Sequence, residues 1–204
     1  PESLEKLSAI VNDFIAGLPF GKEEILQVCV NVAERVNPFE GRAYNMYTFL
    51  DKSLAEALTG LIQLPVCIEN DTRSMAFAEF CKGCCKGLKD VIFVNICWGL
   101  GIGIIIDGKL YYGKSGYSGE FGHMTAYNNN IICHCGKIGC IETEVSGRAL
   151  KRKLTQKILE GKVSILSDKV LNKKEELSLH DILDAIAKED LLSVATLQQI
   201  ADEL

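Results

Sequence analysis

The chain has 204 residues, 22 Lys and Arg against 27 Asp and Glu for a net charge of −5, and 48% hydrophobic residues. That is the composition of a globular protein of one large domain or two small ones, and the acidic balance argues against a basic DNA-binding surface. Nine cysteines, an odd number partly embedded in apolar runs, argue against a disulfide framework and point to a reducing cytoplasm.

The opening Pro-Glu-Ser-Leu-Glu-Lys has neither a basic nor an apolar leader segment. Leu4, Leu7, Ile10, Val11, Phe14 and Ile15 recur at helical spacing, which predicts an amphipathic helix over 4–18. Gly17 and Pro19 end it. Residues 25–32 are mostly apolar and read as a buried strand leading into Ala33-Glu34-Arg35-Val36-Asn37. A helix over 54–61 and a strand over 65–68 follow. The strand delivers Glu69-Asn70-Asp71 to its C-terminal end, where ligands bind in open α/β sheets. A helix over 72–80 comes next. Asp71 reads as its N-cap, or as a carboxylate able to take a proton from a nearby hydroxyl.

Cys81, Cys84 and Cys85 form a Cys-x-x-Cys-Cys loop, read as free thiols, with a second metal or redox site as the alternative. The longest apolar run, 91–106, is broken by Asn95 and three glycines. It reads as strand, turn and strand rather than as a membrane span. Gly99, Gly101 and Gly103 suit either a tight hairpin or backbone that approaches an anion. Asp107-Gly108 predicts a two-residue turn into a strand over 109–112. Residues 114–119 are a glycine- and serine-rich loop. From Val145 the pattern is helical, with Leu150, Leu154 and Ile158 on one face. Residues 164–176 read as a charged connection. Ser178, with Asp181 three residues on, predicts the start of a helix over 179–187, and a last helix runs over 191–204.

Residues 120–142 carry the densest chemistry. His123, Cys133, Cys135 and Cys140 follow a His-x9-Cys-x-Cys-x4-Cys spacing, and one imidazole with three thiolates suits a closed tetrahedral zinc site. His134 is the alternative to His123. The cysteines read otherwise as buried small hydrophobes or disulfide partners.

Gly119-Glu120-Phe121-Gly122-His123, then Cys133-His134-Cys135-Gly136-Lys137-Ile138-Gly139-Cys140-Ile141-Glu142, resemble the signature of the ROK family of sugar-responsive repressors and sugar kinases. The family's usual form is Gly-Glu-x-Gly-His, then Cys-x-Cys-Gly-x-x-Gly-Cys and a following Glu. The resemblance implies an α/β actin-like ATPase (ribonuclease H-like) fold and zinc at His123, Cys133, Cys135 and Cys140. It implies sugar contacts from Glu120, His123 and Glu142, and from Asn70 and Asp71, which match the family's Asn-Asp pair. In the kinases that Asp is the general base, with ATP and magnesium as cofactors and hexoses or N-acetylhexosamines as substrates.

Departures from the family pattern tilt the expectation. Cys97-Trp98 stand where ATP-using members carry Gly-Thr before the phosphate-side glycines Gly99, Gly101 and Gly103. Glu34 replaces a glycine that lets the backbone approach the sugar; its carboxylate either re-aims the sugar or points to solvent. Thr72-Arg73 replaces Ala-Asn and reads as a subfamily mark. Asn130 stands where Gly is common, and Asn tolerates the left-handed region best after Gly. The family's Asp-x-Gly-x-Thr segment, its closing Gly-Gly strand and the repressors' winged helix-turn-helix do not occur in the 204 residues. The expectation is the central, truncated part of a cytoplasmic, homo-oligomeric sugar-sensing regulator. Its sugar-binding domain spans 1–204, and it contacts no membrane and touches DNA only through another segment. The alternative is an ATP-dependent sugar kinase.

Overall fold

The computed structural model describes residues 2–44, 47 and 50–204. In chain order the elements are α1 (Glu2–Ala16), β1 (Val28–Val32), β2 (Val36–Asn37), β3 (Arg42–Ala43), α2 (Leu54–Ile62), β4 (Val66–Asn70) and α3 (Asp71–Lys82). Then come β5 (Val91–Ile96), β6 (Leu100–Ile106), β7 (Lys109–Leu110), α4 (Gly147–Leu159), α5 (Ser167–Leu171), α6 (Leu179–Ala187) and α7 (Leu191–Asp202). This is the expected α/β class. The chain divides into two compact units, Pro1–Phe93 with Gly103–Gly119, and Val94–Ile102 with Glu120–Leu204. It passes from one to the other inside β5 and back inside β6.

In the first unit, Ser53 and Glu56 cap α2 reciprocally: the Ser53 hydroxyl accepts the Glu56 N–H at 3.2 Å, and Glu56 accepts the Ser53 N–H at 2.9 Å. Leu54, Leu58 and Ile62 then fall on one face and are buried with Val30, Val66 and Ile68 of the strands. Each such side chain contributes about 1.5–3 kcal/mol of burial. β1 and β4 run parallel, with Val30 opposite Ile68 and Val32 opposite Asn70. The strand end therefore presents Asn70, as its sequence position predicted. β1 starts at Val28 rather than Ile25: residues 22–24 turn as a short 3-10 helix, and Leu26 is 90% exposed. The apolar run overstated the strand because an isolated apolar side chain can lie on the surface.

The three-stranded sheet has the order β5-β6-β7. Asp107 and Gly108 both have positive φ, 51° and 74°, which is the two-residue turn expected of that pair. β7 is only two residues long, shorter than the expected 109–112.

In the second unit, Leu150, Leu154 and Ile158 of α4 are buried together with Val145, Ile182 and Ile200. Ser178 and Asp181 form the predicted capping box of α6, with Asp181 N–H to Ser178 Oγ at 3.1 Å and Ser178 N–H to Asp181 Oδ2 at 2.7 Å. The expected charged connection over 164–176 contains α5, whose Val170 is buried beside Leu166. Two apolar positions give too short a period to announce a helix, and the neighbouring core supplies what the pattern lacks. No described helix is long and apolar enough to cross a membrane.

Candidate functional site

The loop that follows Gly119 is built by local hydrogen bonds. Residues Glu120–His123 make a short 3-10 turn. Asn129 accepts the Ile131 N–H at 3.1 Å, and Asn130 takes the left-handed φ of 55° foreseen for it. Cys133 N–H donates to Lys137 C=O at 2.8 Å and Gly136 N–H to Cys133 C=O at 2.9 Å, which folds the Cys-x-Cys-Gly segment back on itself. Bridges pair Thr125 with Cys140 and Ile132 with Ile138.

This folding brings the ligand atoms of His123, Cys133, Cys135 and Cys140 within 4.8 Å of one another. Cys133 Sγ lies 3.5 Å from His123 Nδ1, and Cys135 Sγ lies 3.6 Å from Cys140 Sγ. All nine cysteines are free thiols. A disulfide needs sulfurs about 2.05 Å apart, so the 3.6 Å pair is not one. Zinc–sulfur bonds of about 2.3 Å and zinc–nitrogen bonds of about 2.0–2.1 Å give tetrahedral edges of about 3.8 and 3.6 Å. The two edges are close to that scale, and the four side chains could hold a metal ion.

The thiols are not equivalent. Burial pushes Cys133 up to about 12 and raises Cys140 as well. Burial also opposes the Cys135 thiolate, but hydrogen bonds from the Lys137 backbone and from Cys140 and Cys133 outweigh it and hold that thiol below its ordinary range. Three adjacent thiolates repel one another, and a divalent cation supplies the charge that stabilises them together.

Glu142 follows this cluster on a second 3-10 turn, Ile141–Thr143, and its side chain is 8% exposed. Oε2 accepts the Leu100 N–H at 2.9 Å, and Oε1 lies 2.8 Å from His134 Nδ1 and 3.8 Å from Arg148. A Cβ on Gly99 would fall 2.6 Å from Oε2, so the glycine there accommodates this carboxylate. Glu120 Oε2 stands 3.9 Å from His123 Nε2. His134, weighed as a possible ligand, turns Nδ1 toward Glu142 and lies 3.8 Å from Cys133 Sγ. His123, His134 and Glu142 form a second group able to hold a metal, and it shares His123 with the first.

Asn70, Asp71 and Gly103 lie in the first unit. Asn70, not Asp71, caps α3: its Oδ1 accepts the Arg73 N–H at 3.0 Å. Its Nδ2 donates to Glu34 C=O at 3.0 Å and to Asp71 Oδ1 at 3.1 Å. Asp71 is the first helical residue, and its Oδ1 also accepts the Thr72 N–H at 2.7 Å. Glu34 is buried rather than directed to solvent. Arg73 is fully buried; beyond Glu69, four residues before it, its partners Val36 and Gly116 are 37 and 43 residues away, so the local sequence does not announce the burial. Gly103 lies where a Cβ would come 2.3 Å from Ala76 Cβ, so close packing of α3 accounts for it without any anion. Gly101 lies within β6. Cys84 and Cys85 have sulfurs 3.8 Å apart, and Cys84 leans on Glu79 at 3.3 Å.

In the second unit, Trp98 and α4 border a cavity of about 650 Å³ that also includes Leu159, Val170 and Leu177. Arg148 and Lys151 stand 6.0 and 5.8 Å from the indole ring. Gly147 N–H donates to Cys97 C=O at 2.7 Å and Arg148 N–H to Trp98 C=O at 3.3 Å, which ties the start of α4 to the hairpin tip.

A family model described as the ROK family matches residues 2–204. A glucokinase of Halalkalibacterium halodurans is 36% identical over 143 residues, 67% of this chain and 43% of that protein. A xylose repressor of Bacillus subtilis is 34% identical over 148 residues, 72% of this chain and 34% of that protein. The chain thus spans less than half the length of either. Among solved structures, a ROK family transcriptional regulator homologous to the E. coli MLC protein gives a TM-score of 0.77 at 30% identity, over 98% of this chain and 50% of that one. A ROK family glucokinase from Streptomyces griseus, in complex with glucose and AMPPNP, gives 0.79 at 27% identity, over 98% and 65%.

Proposed function

The chain belongs to the ROK family, and on that premise we propose that it is the sugar-binding effector part of a transcriptional regulator with an actin-like fold and a structural zinc. Asn70, Asp71, Glu120, His123 and Glu142 are the proposed sugar contacts. Asp71 Oδ1 is already engaged by Thr72 and Asn70, which leaves Oδ2 for a sugar hydroxyl. Zinc would be held by His123, Cys133, Cys135 and Cys140 and would keep their loop folded, so that His123 and Glu142 hold their aim. The setting is cytoplasmic, the protein self-associates, and DNA contact belongs to a part of the protein outside this acidic chain.

The observation that carries the regulator over the kinase is Trp98. Its ring lies beside Arg148 and Lys151 at the hairpin tip. A nucleotide's phosphates need bare backbone N–H groups and a hydroxyl at such a hairpin. The indole is a large side chain that carries no hydroxyl for magnesium or a phosphate. Sugar binding would act by favouring one of two states of the regulator with different DNA affinity.

The test uses the intact protein. Operator binding is measured with and without a panel of hexoses, pentoses and N-acetylhexosamines, and ATP turnover is measured on the same panel. Sugar-dependent DNA release without turnover is expected. Sugar-dependent ATP hydrolysis with no DNA binding would replace this reading with the kinase. In that second reading Asp71, at the start of α3, would be the general base.

A further inference from the structure

Arg73 is 2% exposed, a guanidinium sealed inside the first unit. Its Nε and Nη2 both lie 2.7 Å from Glu69 Oε1. Nη1 donates to Gly116 C=O at 2.6 Å and Nη2 to Val36 C=O at 2.9 Å. The Tyr112 ring centroid is 5.3 Å from the guanidinium carbon, and the Tyr112 hydroxyl donates to Glu69 Oε2 at 3.0 Å. One side chain therefore joins the end of β4, the strand β2 and the loop over 113–119. Its own backbone N–H is the one that Asn70 caps.

Stability alone does not call for this arrangement. Replacing a buried ion pair by apolar side chains of similar volume is often neutral or favourable. What a planar fork provides, and an apolar side chain does not, is a fixed direction for several acceptors at once. The acceptors here are the backbone carbonyls of Val36 and Gly116 and the carboxylate of Glu69, the residue before Asn70. Asn70 in turn donates to Glu34 C=O and to Asp71 Oδ1.

We infer that Arg73 is a positioning residue for ligand recognition: it sets the Asn70–Asp71 pair and the 113–119 loop in one geometry and so determines affinity and hydroxyl selectivity for the sugar. This rests on the sugar-binding reading above. Lysine keeps the charge but is a point donor on a flexible stem, and it cannot hold Glu69, Val36 and Gly116 together.

Calorimetric titration of the intact protein with D-glucose and D-xylose tests it, because stoichiometry and Kd are read separately. Arg73→Lys should raise the Kd of the preferred sugar by about tenfold or more at near wild-type stoichiometry, as expected for displaced contact groups. It should also narrow the preference between the two sugars. Tyr112→Phe, which frees Glu69 Oε2 and so loosens the carboxylate that fixes Arg73, should raise Kd by less. A purely structural residue would lower the stoichiometry and the melting temperature and leave Kd alone, and that result overturns the inference. Should Arg73→Lys fail to fold, Tyr112→Phe decides, and an unchanged Kd there overturns it too. If the wild type binds neither these probes nor other sugars of the panel, the sugar reading falls and takes this inference with it. Wild-type binding with unchanged variants removes the inference alone.

Discussion

Leu100 donates its backbone N–H to Oε2 of Glu142 at 2.9 Å, a buried contact between residues 42 apart in the chain. It ties the first residue of β6 to the turn that follows the cysteine cluster. Glu142→Ala would leave that N–H buried without its acceptor, which costs about 1–3 kcal/mol. Glu142→Gln keeps an oxygen acceptor of the same shape and should cost less. Denaturant unfolding of both variants checks the order. Equal losses would mean that the negative charge facing His134 and Arg148, rather than the Leu100 contact, supports the fold.

Metal removal gives the second prediction. The purified, reduced protein should contain about one zinc per chain, by the logic of a closed Cys3His site. Cys135→Ser and chelation should each lower the melting temperature, because binding free energy at such a site is folding free energy. His123→Ala should lose the metal and His134→Ala should keep it. Retention in the first with loss in the second would move the ligand assignment to His134. Metal-free protein with wild-type stability would sink the zinc assignment.

The α7 cap offers a pH test. Asp190 Oδ2 accepts from Ser193 N–H at 3.0 Å, Ser193 Oγ at 2.6 Å and Ser164 Oγ at 2.9 Å, and Oδ1 accepts from Ile165 N–H at 3.0 Å. Burial opposes its charge, but these donors outweigh burial and hold its pKa below the usual carboxylate value. A depressed folded-state pKa contributes stability that is present above the unfolded value of about 3.9 and is lost as pH falls through the folded value. Asp190→Ala should cost about 1–3 kcal/mol at neutral pH and should flatten the acid limb of the stability curve. A variant with the wild-type acid limb would remove Asp190 as the cause.

Asp71→Asn separates the two functional readings. The amide keeps the shape and the acceptor for Thr72 N–H, yet it cannot take a proton at neutral pH. For a sensor, sugar binding should persist within several-fold, since the acceptor remains. For a kinase, phosphorylation should fall by about 100-fold or more, the scale of general-base catalysis. Sugar titration together with coupled ATP turnover on the intact protein distinguishes these. Undiminished turnover would exclude Asp71 as base.

The candidate site was unevenly legible. The clustering of His123, Cys133, Cys135 and Cys140 and the left-handed Asn130 depend on spacing and local conformation, so the sequence carries them. Asn70 and Asp71 were placed correctly at the strand end, but which of them caps α3 depends on one hydrogen bond to Arg73 N–H. Glu34 had a solvent-facing alternative, and it is buried. Arg73 read as a subfamily mark because an arginine reveals burial only through partners, here Val36, Gly116 and Glu69.

By itself the sequence determined the α/β class, the helix faces, the hairpin turn and the family signature. Each of these rests on residues a few positions apart, where periodicity, capping and turn chemistry act. Only the tertiary structure decided that α5 forms, that β1 begins late, that Glu142 is held by Leu100 and His134, and that Arg73 is an internal fork. Those outcomes depend on desolvation and on partners brought close by folding, and a charged side chain's cost or benefit reverses with whether such partners are there.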